Sequence, residues 1–516
     1  MDFVRKDIHT SVLKESKYSQ ITIDDDFNLP DNKEDIEKII AKAGNVIVDE
    51  VEIDYGKVHV SGVVCFTVLY QTKGEQAGIG SYEGEIPFHD SINVDSTTKN
   101  SMVTNRSRLE DLTINMINSR KIEVRGLLGN SVQSYEEYRT KAATELENGQ
   151  GVESKFKRQQ LTELIVAKHD MFRLKEELEI PQNKPNINSI LWSSVSLRNM
   201  ETKVLDGKIS IRGEVECFVI YQGFGDDNLV QYLYSVRTIN KELECIEATE
   251  DMVLEATCSL GKGETGVRQD SDGEDRVIGV DYCVQLGIKL YKDNEVNLIA
   301  DLYSPQVEIM PDIETIPYEN LWMHNLAKAK INERRHRKDE QEQILQICHT
   351  YGDVEIDDVE VFEDSVKVIG VVKANILYIA NDDSPIKCME EILPFEYKID
   401  IGSLPKDASV RVDANLDLLV TTLLSAEDYE IKAQVNLNMC VFMQTELEVV
   451  TDMKIEPIDY EKKSHMPGII GYIVQPEDTL WSIARKYYAT TESIRKLNHL
   501  EDDIVREGDR LIIVKS

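Results

Sequence analysis

Positive charge is what this chain has least of. Its 58 Lys and Arg face 94 Asp and Glu over 516 residues, a formal net charge of −36. Nucleic-acid binding rests on Lys and Arg neutralising phosphates, so a chain this acidic is set against it. It is equally set against docking on anionic lipid. Long apolar runs are missing as well. No stretch reaches the roughly 18 to 20 apolar residues that span a bilayer. The opening "MDFVRKDIHTSVLKESKYSQ" lacks the apolar core of a signal peptide, which leads to the expectation of a cytoplasmic protein. Paired cysteines are absent too. Cys65, Cys217, Cys245, Cys258, Cys283, Cys348, Cys388 and Cys440 form no C-x-x-C, and several lie in apolar strand-like runs. They read as small buried hydrophobes in a reducing compartment, without a disulfide framework or zinc site. The nine histidines fall in no metal-binding spacing. There is no G-x-S-x-G, no phosphate-cradling glycine loop and no dinucleotide fingerprint. The expectation is a chain without enzymatic activity, cofactor or metal.

What is present is a repeat. "GKVHVSGVVCFTVLY" (Gly56 to Tyr70), "GKISIRGEVECFVIY" (Gly207 to Tyr221) and "DSVKVIGVVKANILY" (Asp364 to Tyr378) share one pattern. Each carries a glycine eight residues before a tyrosine: Gly62 and Tyr70, Gly213 and Tyr221, Gly370 and Tyr378. Glycine spacings of 213 − 62 = 151 and 370 − 213 = 157 are those of whole domains, not of solenoid units. Alternating apolar and polar residues mark strands. The mid-strand glycines imply a bulge or close approach of another element. "EIPF" (Glu85 to Phe88) is matched by "ILPF" (Ile392 to Phe395) in the third copy only. The fold class expected is mainly β, with three repeated antiparallel β-rich domains followed by a small α/β module of strand, helix, helix, strand.

Boundaries follow from composition. The repeats are placed at 20–137, 165–312 and 326–456, with polar linkers at 138–164 and 457–468 and the terminal module at 469–516. Pro30 is followed by Ile36, Ile39 and Ile40, and Pro181 by Ile187, Ile190 and Leu191, at the same offsets. In "NKEDIEKIIAKAG" this spacing suits a helix stopped at Gly44; for the second copy a strand stays open. The third entry, "AKAKINERRHRKDEQEQILQI", reads as a helix. Its Lys328, Lys330, Arg334, Arg335, Arg337 and Lys338 form the chain's basic island, a solvated face or a contact to its own acidic domains. "GKGETGVRQDSDGEDR" (Gly261 to Arg276) reads as a mobile loop.

The stretch Tyr472 to Val514, "YIVQPEDTLWSIARKYYATTESIRKLNHLEDDIVREGDRLIIV", resembles a LysM module. Leu480, Ile483, Ala484 and Tyr487 fall at helical spacing behind a capping Asp478 or Thr479, and Ile494 and Leu497 are expected to face inward from a second helix. Three such repeats plus a terminal LysM module resemble the clostridial SipL-type family of spore-coat morphogenetic proteins, whose repeats are called SPOCS domains. That resemblance implies a non-enzymatic coat scaffold in the mother cell at the forespore surface. Its LysM module would bind the coat-basement ATPase SpoIVA, and other coat proteins are further candidate partners. LysM modules in general read N-acetylglucosamine polymers, so a peptidoglycan or cortex binder is the alternative, and a cell-wall hydrolase a third. The family's groove maps to Pro476, Glu477, Asp478, Thr479, Leu480, Trp481, Asn498, His499 and Leu500. Glu477 stands where the family has glycine, which disfavours peptidoglycan.

Overall fold

A computed structural model describes the chain except residues 1, 75–77, 100, 148, 226–229, 338–342, 382–385, 459–460, 462–464 and 515–516. The chain is overwhelmingly β. Strands β1 (Asp2–Asn28), β2 (Ile36–Asp54), β3 (Lys57–Thr72), β4 (Ile79–Asn93), β5 (Met102–Asn118) and β6 (Lys121–Glu147) build the first repeat. They form two three-stranded antiparallel sheets, β1-β6-β5 and β2-β3-β4. The second repeat copies this order with β7 (Glu153–Glu179), β8 (Ile187–Leu205), β9 (Lys208–Gly223), β10 (Val230–Glu244), β11 (Val253–Gln269) and β12 (Asp275–Tyr303). The third does so with β13 (Val307–His336), β14 (Ile344–Val361), β15 (Ser365–Ala380), β16 (Lys387–Asp400), β17 (Ala408–Leu423) and β18 (Asp428–Pro457).

The shared glycines sit in the central strands β3, β9 and β15. A Cβ on Gly62 would collide with the Ile47 carbonyl oxygen, and one on Gly370 with that of Glu355. A register shift lies beside each glycine in the neighbouring strand: Val48/Glu50, Arg198/Glu201 and Ile356/Asp358. The bulge pushes backbone onto the strand where only glycine leaves room. Across the other edge, Gly62 pairs with Phe88 and Gly370 with Phe395, and the Phe395 ring lies over the missing side chain of Gly370. Pro87 and Pro394 sit in the edge strands β4 and β16, where a missing N–H breaks no ladder. The repeat tyrosines Tyr70, Tyr221 and Tyr378 are buried.

Several expected elements are different. The Ile36 to Gly44 entry is strand β2, not a helix, and the third entry is strand β13 up to His336 and β14 from Ile344. Bulges explain the misleading spacing. Register shifts at Ile36/Lys38 and Ile39/Ala41 recur at Ile187/Ser189 and Ile190/Trp192, and again at Ile344/Gln346 and Ile347/His349. Each bulge breaks the two-residue alternation, so inward positions fall three apart as on a helix. Gly44 stops nothing; it lies mid-strand opposite Phe66, where a Cβ would press on Leu109. In the stretch 138–164, expected to be a linker, strand β6 runs to Glu147 and strand β7 starts at Glu153, with a turn closed by the Val152 N–H on the Gly149 carbonyl in which Gly151 has φ +80°. The strands of the repeats therefore run past the expected limits, over Asp2–Glu147, Glu153–Tyr303 and Val307–Pro457. Gly261 to Gln269 is strand too, with only Asp270 to Glu274 turning into β12. These strands read as polar because they lie largely exposed. Of the basic island, Lys328 pairs with Asp417, Arg334 with Glu430, and Arg335 with Glu333 and Glu391, contacts within the chain's own acidic third repeat. Arg337 lies over the Tyr378 ring, and Lys338 falls outside the described residues.

The repeats share their core. One apolar cluster joins Ile8 and Ala142 of the first repeat, Leu161, Val296 and Leu298 of the second, and Ile316, Tyr318, Leu447 and Val449 of the third. A second joins Ala41 and Leu69 to Trp192, Phe218 and Ile220 and to Leu377. Corresponding residues meet: Leu13 pairs with Tyr135, Leu164 with Tyr291 and Leu321 with Phe442, one pair per repeat. The Tyr291 and Phe442 rings meet at 5.7 Å, tilted by 59°, and the Arg411 guanidinium lies over both Phe442 and Tyr135. A buried polar knot fixes this meeting point. Glu319 accepts from Arg411 Nη2 at 2.6 Å, Gln444 Nε2 at 2.8 Å and the Leu13 backbone N–H at 3.1 Å. Lys289 of the second repeat donates to Tyr135 of the first at 3.2 Å and to Glu255 at 3.4 Å. The packing has threefold character, and the charges in it break the symmetry between repeats.

Candidate binding site

The C-terminal module has β19 (Ile469–Ile473), α1 (Leu480–Lys486), α2 (Thr491–Leu497) and β20 (Arg510–Val514), with β19 and β20 antiparallel. Thr479 caps α1 through Ser482, which returns a bond to the cap N–H, and Thr490 caps α2 through Ser493. Val474, Leu480, Ile483, Ala484, Ala489, Ile494, Leu511 and Ile513 fill the core. Leu497, expected inside, is instead 42% exposed.

The nine groove positions separate into three groups. Pro476, Glu477, Thr479 and His499 are exposed. Glu477 has φ +67° and His499 φ +52°. The backbone at Glu477 thus keeps the left-handed form that glycine adopts freely, and adds an exposed carboxylate. A second group holds the fold. Asp478 accepts from Tyr472 Oη at 2.7 Å and the Gln475 N–H at 2.8 Å. The Tyr472 hydroxyl, helped by that N–H, holds Asp478 below the usual carboxylate range, and the carboxylate pushes Tyr472 up to about 12. Asn498 caps α2 and bonds both the N–H and the carbonyl of Ile512 at 2.7 Å, stitching helix to sheet. Leu480 is 1% exposed and belongs to the core rather than to a groove wall. The third group, Trp481 and Leu500, packs against that core, so the loop before α1 and the loop after α2 meet over one apolar cluster.

Trp481 points at the second repeat. Its Nε1 donates to Asp301 at 2.8 Å, and its ring meets Tyr303 edge-on at 4.8 Å. Arg485 Nη1 reaches both Asp301 oxygens, at 2.9 and 3.0 Å. Tyr303 is a member of the module's own core and donates to the Ala489 carbonyl at 3.0 Å; burial pushes its hydroxyl far above the usual value. Thr491 donates to Glu153 and Tyr488 to Glu308. The seat comprises Asp301, Tyr303, Glu153 and Glu308, residues that no motif marks. Nothing in their local pattern differs from ordinary strand ends, and only the fold brings them to the module.

A cleft of about 1840 Å³ opens elsewhere, between all three repeats, lined by Glu83, Trp192, Arg198, His349, Asp353 and Asp417 among others. Among the described residues no group of three His, Cys, Asp or Glu is placed to hold a metal ion. No helix of the described residues is long and apolar enough to cross a membrane.

Comparison with known families matches the SipL SPOCS domain three times, at residues 35–117, 186–265 and 343–424, and the LysM domain at residues 472–514. No curated protein and no solved structure matches the chain. Both domain types are non-catalytic binding domains, and the SipL type ties the chain to sporulation and the spore coat. Each SPOCS match begins at the bulged second strand of a repeat and ends in or just after its fifth; the long outer strands lie beyond it. The chain is thus a SPOCS-domain protein of the SipL type, three SPOCS domains followed by one LysM domain.

Proposed function

We propose that this chain is a non-enzymatic morphogenetic scaffold of the spore coat, which binds the coat-basement ATPase SpoIVA through its LysM module and helps localise coat around the forespore in the mother cell. The observation that carries this reading is Glu477. Sugar-binding LysM grooves rely on close backbone approach to acetamide groups, and here a charged side chain stands at the glycine position with the glycine backbone conformation retained. Trp481, the aromatic best suited to a sugar platform, is engaged by Tyr303 and Asp301 instead. The three repeats share apolar clusters and offer the module a seat at Asp301 and Tyr303, which suits a scaffold.

The LysM match itself favours a second reading, a peptidoglycan or cortex binder. Purified chain is mixed with SpoIVA and, separately, with peptidoglycan sacculi. Capture of the ATPase without saccharide-competed sedimentation on sacculi is expected. Binding to sacculi that soluble saccharide competes, with no ATPase captured, would overturn the scaffold reading.

A further inference from the structure

We propose that the α1 face of the LysM module is a receptor for an acidic–aromatic strand, a carboxylate and a tyrosine two residues apart, and that Asp301 and Tyr303 of this chain occupy it until a partner strand of the same chemistry displaces them. Trp481 and Arg485 are four residues apart on α1 and therefore share one face. Both of their polar groups converge on the single carboxylate of Asp301. Asp301 and Tyr303 are two apart on β12, so their side chains leave the strand on the same side. The tyrosine ring covers the indole edge-on, and its hydroxyl reaches past α1 to the Ala489 carbonyl. Recognition is thus specific in three ways: a carboxylate for a paired N–H and guanidinium, a ring for the indole, and a hydroxyl for an orphan carbonyl beyond the helix.

The seat is built to exchange. The Arg485–Asp301 pair is partly solvated, with side-chain exposures of 43% and 27%, so water and salt weaken it. The held segment sits at the very end of β12, and Asp301 follows a register shift at Ile299. A competing strand presented many times on an assembling surface gains from avidity what a single copy lacks. This rests on the reading of the module as a protein dock and names what that dock recognises.

The test uses the full chain and a fluorescent peptide of residues 297–307, NLIADLYSPQV. Peptide affinity is measured by anisotropy against the wild type, Asp301→Asn, the double variant Asp301→Ala/Tyr303→Ala, and that double variant with Arg485→Ala added. Hydrogen exchange at Ile494 and Leu511 reports whether the module stays folded. The double variant should take the peptide at least tenfold more tightly than the wild type, whose own strand competes. Adding Arg485→Ala should weaken binding tenfold or more, and a peptide with Asn and Ala at the two positions should not bind. Equal affinity for wild type and double variant, or binding to neither with the module folded, overturns the proposal. Should the double variant lose the module's fold, Asp301→Asn decides: faster exchange across α1 supports the proposal, and unchanged exchange overturns it. A peptide that binds while SpoIVA does not leaves this receptor standing and removes the reading under Proposed function.

Discussion

Glu319→Ala should destabilise all three repeats together. Glu319 is 6% exposed and holds Arg411, Gln444 and the Leu13 N–H, so one carboxylate ties the third repeat to the first. Its removal leaves Arg411 buried without a counter-charge, with its guanidinium pinned over Phe442. Breaking a buried pair in this way costs about 3 to 5 kcal/mol, and the orphaned Leu13 N–H adds about 1 kcal/mol or more. A unit of about 450 residues unfolds with an entropy near 1 kcal/mol per kelvin, so the loss corresponds to a Tm lower by about 4 to 6 °C. Scanning calorimetry of the full chain reads it. One transition covering the repeats should move as a whole, because the clusters around Glu319 draw on every repeat. Replacing both partners, Glu319→Met with Arg411→Met, should recover most of the loss, since an apolar pair of similar volume needs no counter-charge. A Tm change under 1 °C for Glu319→Ala, or an endotherm that splits so that only one part moves, would refute the reasoning.

Acid should loosen the junction between the second and third repeats. Burial pulls His349, stacked at 4.3 Å on Phe218, down to about 3. Its folded value lies below the unfolded value near 6.5, so its contribution is whole above pH 6.5 and is lost as pH falls toward 3. His349→Phe should therefore flatten the fall in stability over that window, measured as Tm against pH; a parallel curve would contradict it. Gly370→Ala should cost about 2 kcal/mol or more by denaturant melt, because its Cβ would meet the Glu355 carbonyl oxygen and the Phe395 ring; a change under 0.5 kcal/mol would count against the bulge argument. Ile494→Ala, at 1% exposure in a small core, should cost about 2 to 5 kcal/mol and raise amide exchange in the LysM module while the repeats keep their protection. Exchange that rises equally in the repeats would refute that separation.

The sequence made the repeat legible through its central strands, because β3, β9 and β15 alternate cleanly and their glycines answer to one local cause, the bulge opposite. It concealed the entry strands for the same cause seen from the other side. The bulges after Ile36 and Ile39 convert a two-residue rhythm into a helix-like one. It also hid the long outer strands β6 and β7, where "ELENGQGVESKFKRQQ" is polar because much of it lies exposed. In the LysM module the helices and their caps were readable from spacing. The seat was not: Asp301 and Tyr303 are 180 and 178 residues from Trp481, and only the tertiary fold joins them. Leu480 illustrates the limit at a single position, since a groove residue and a core residue have the same pattern on so short a helix.

The most direct test of the account is co-purification of SpoIVA from sporulating cells by the full chain and by a chain lacking residues 467–516, with circular dichroism showing that the repeats remain folded. The account predicts capture by the full chain and its loss on deletion. Undiminished capture by the shortened chain would contradict it and move the docking surface to the repeats.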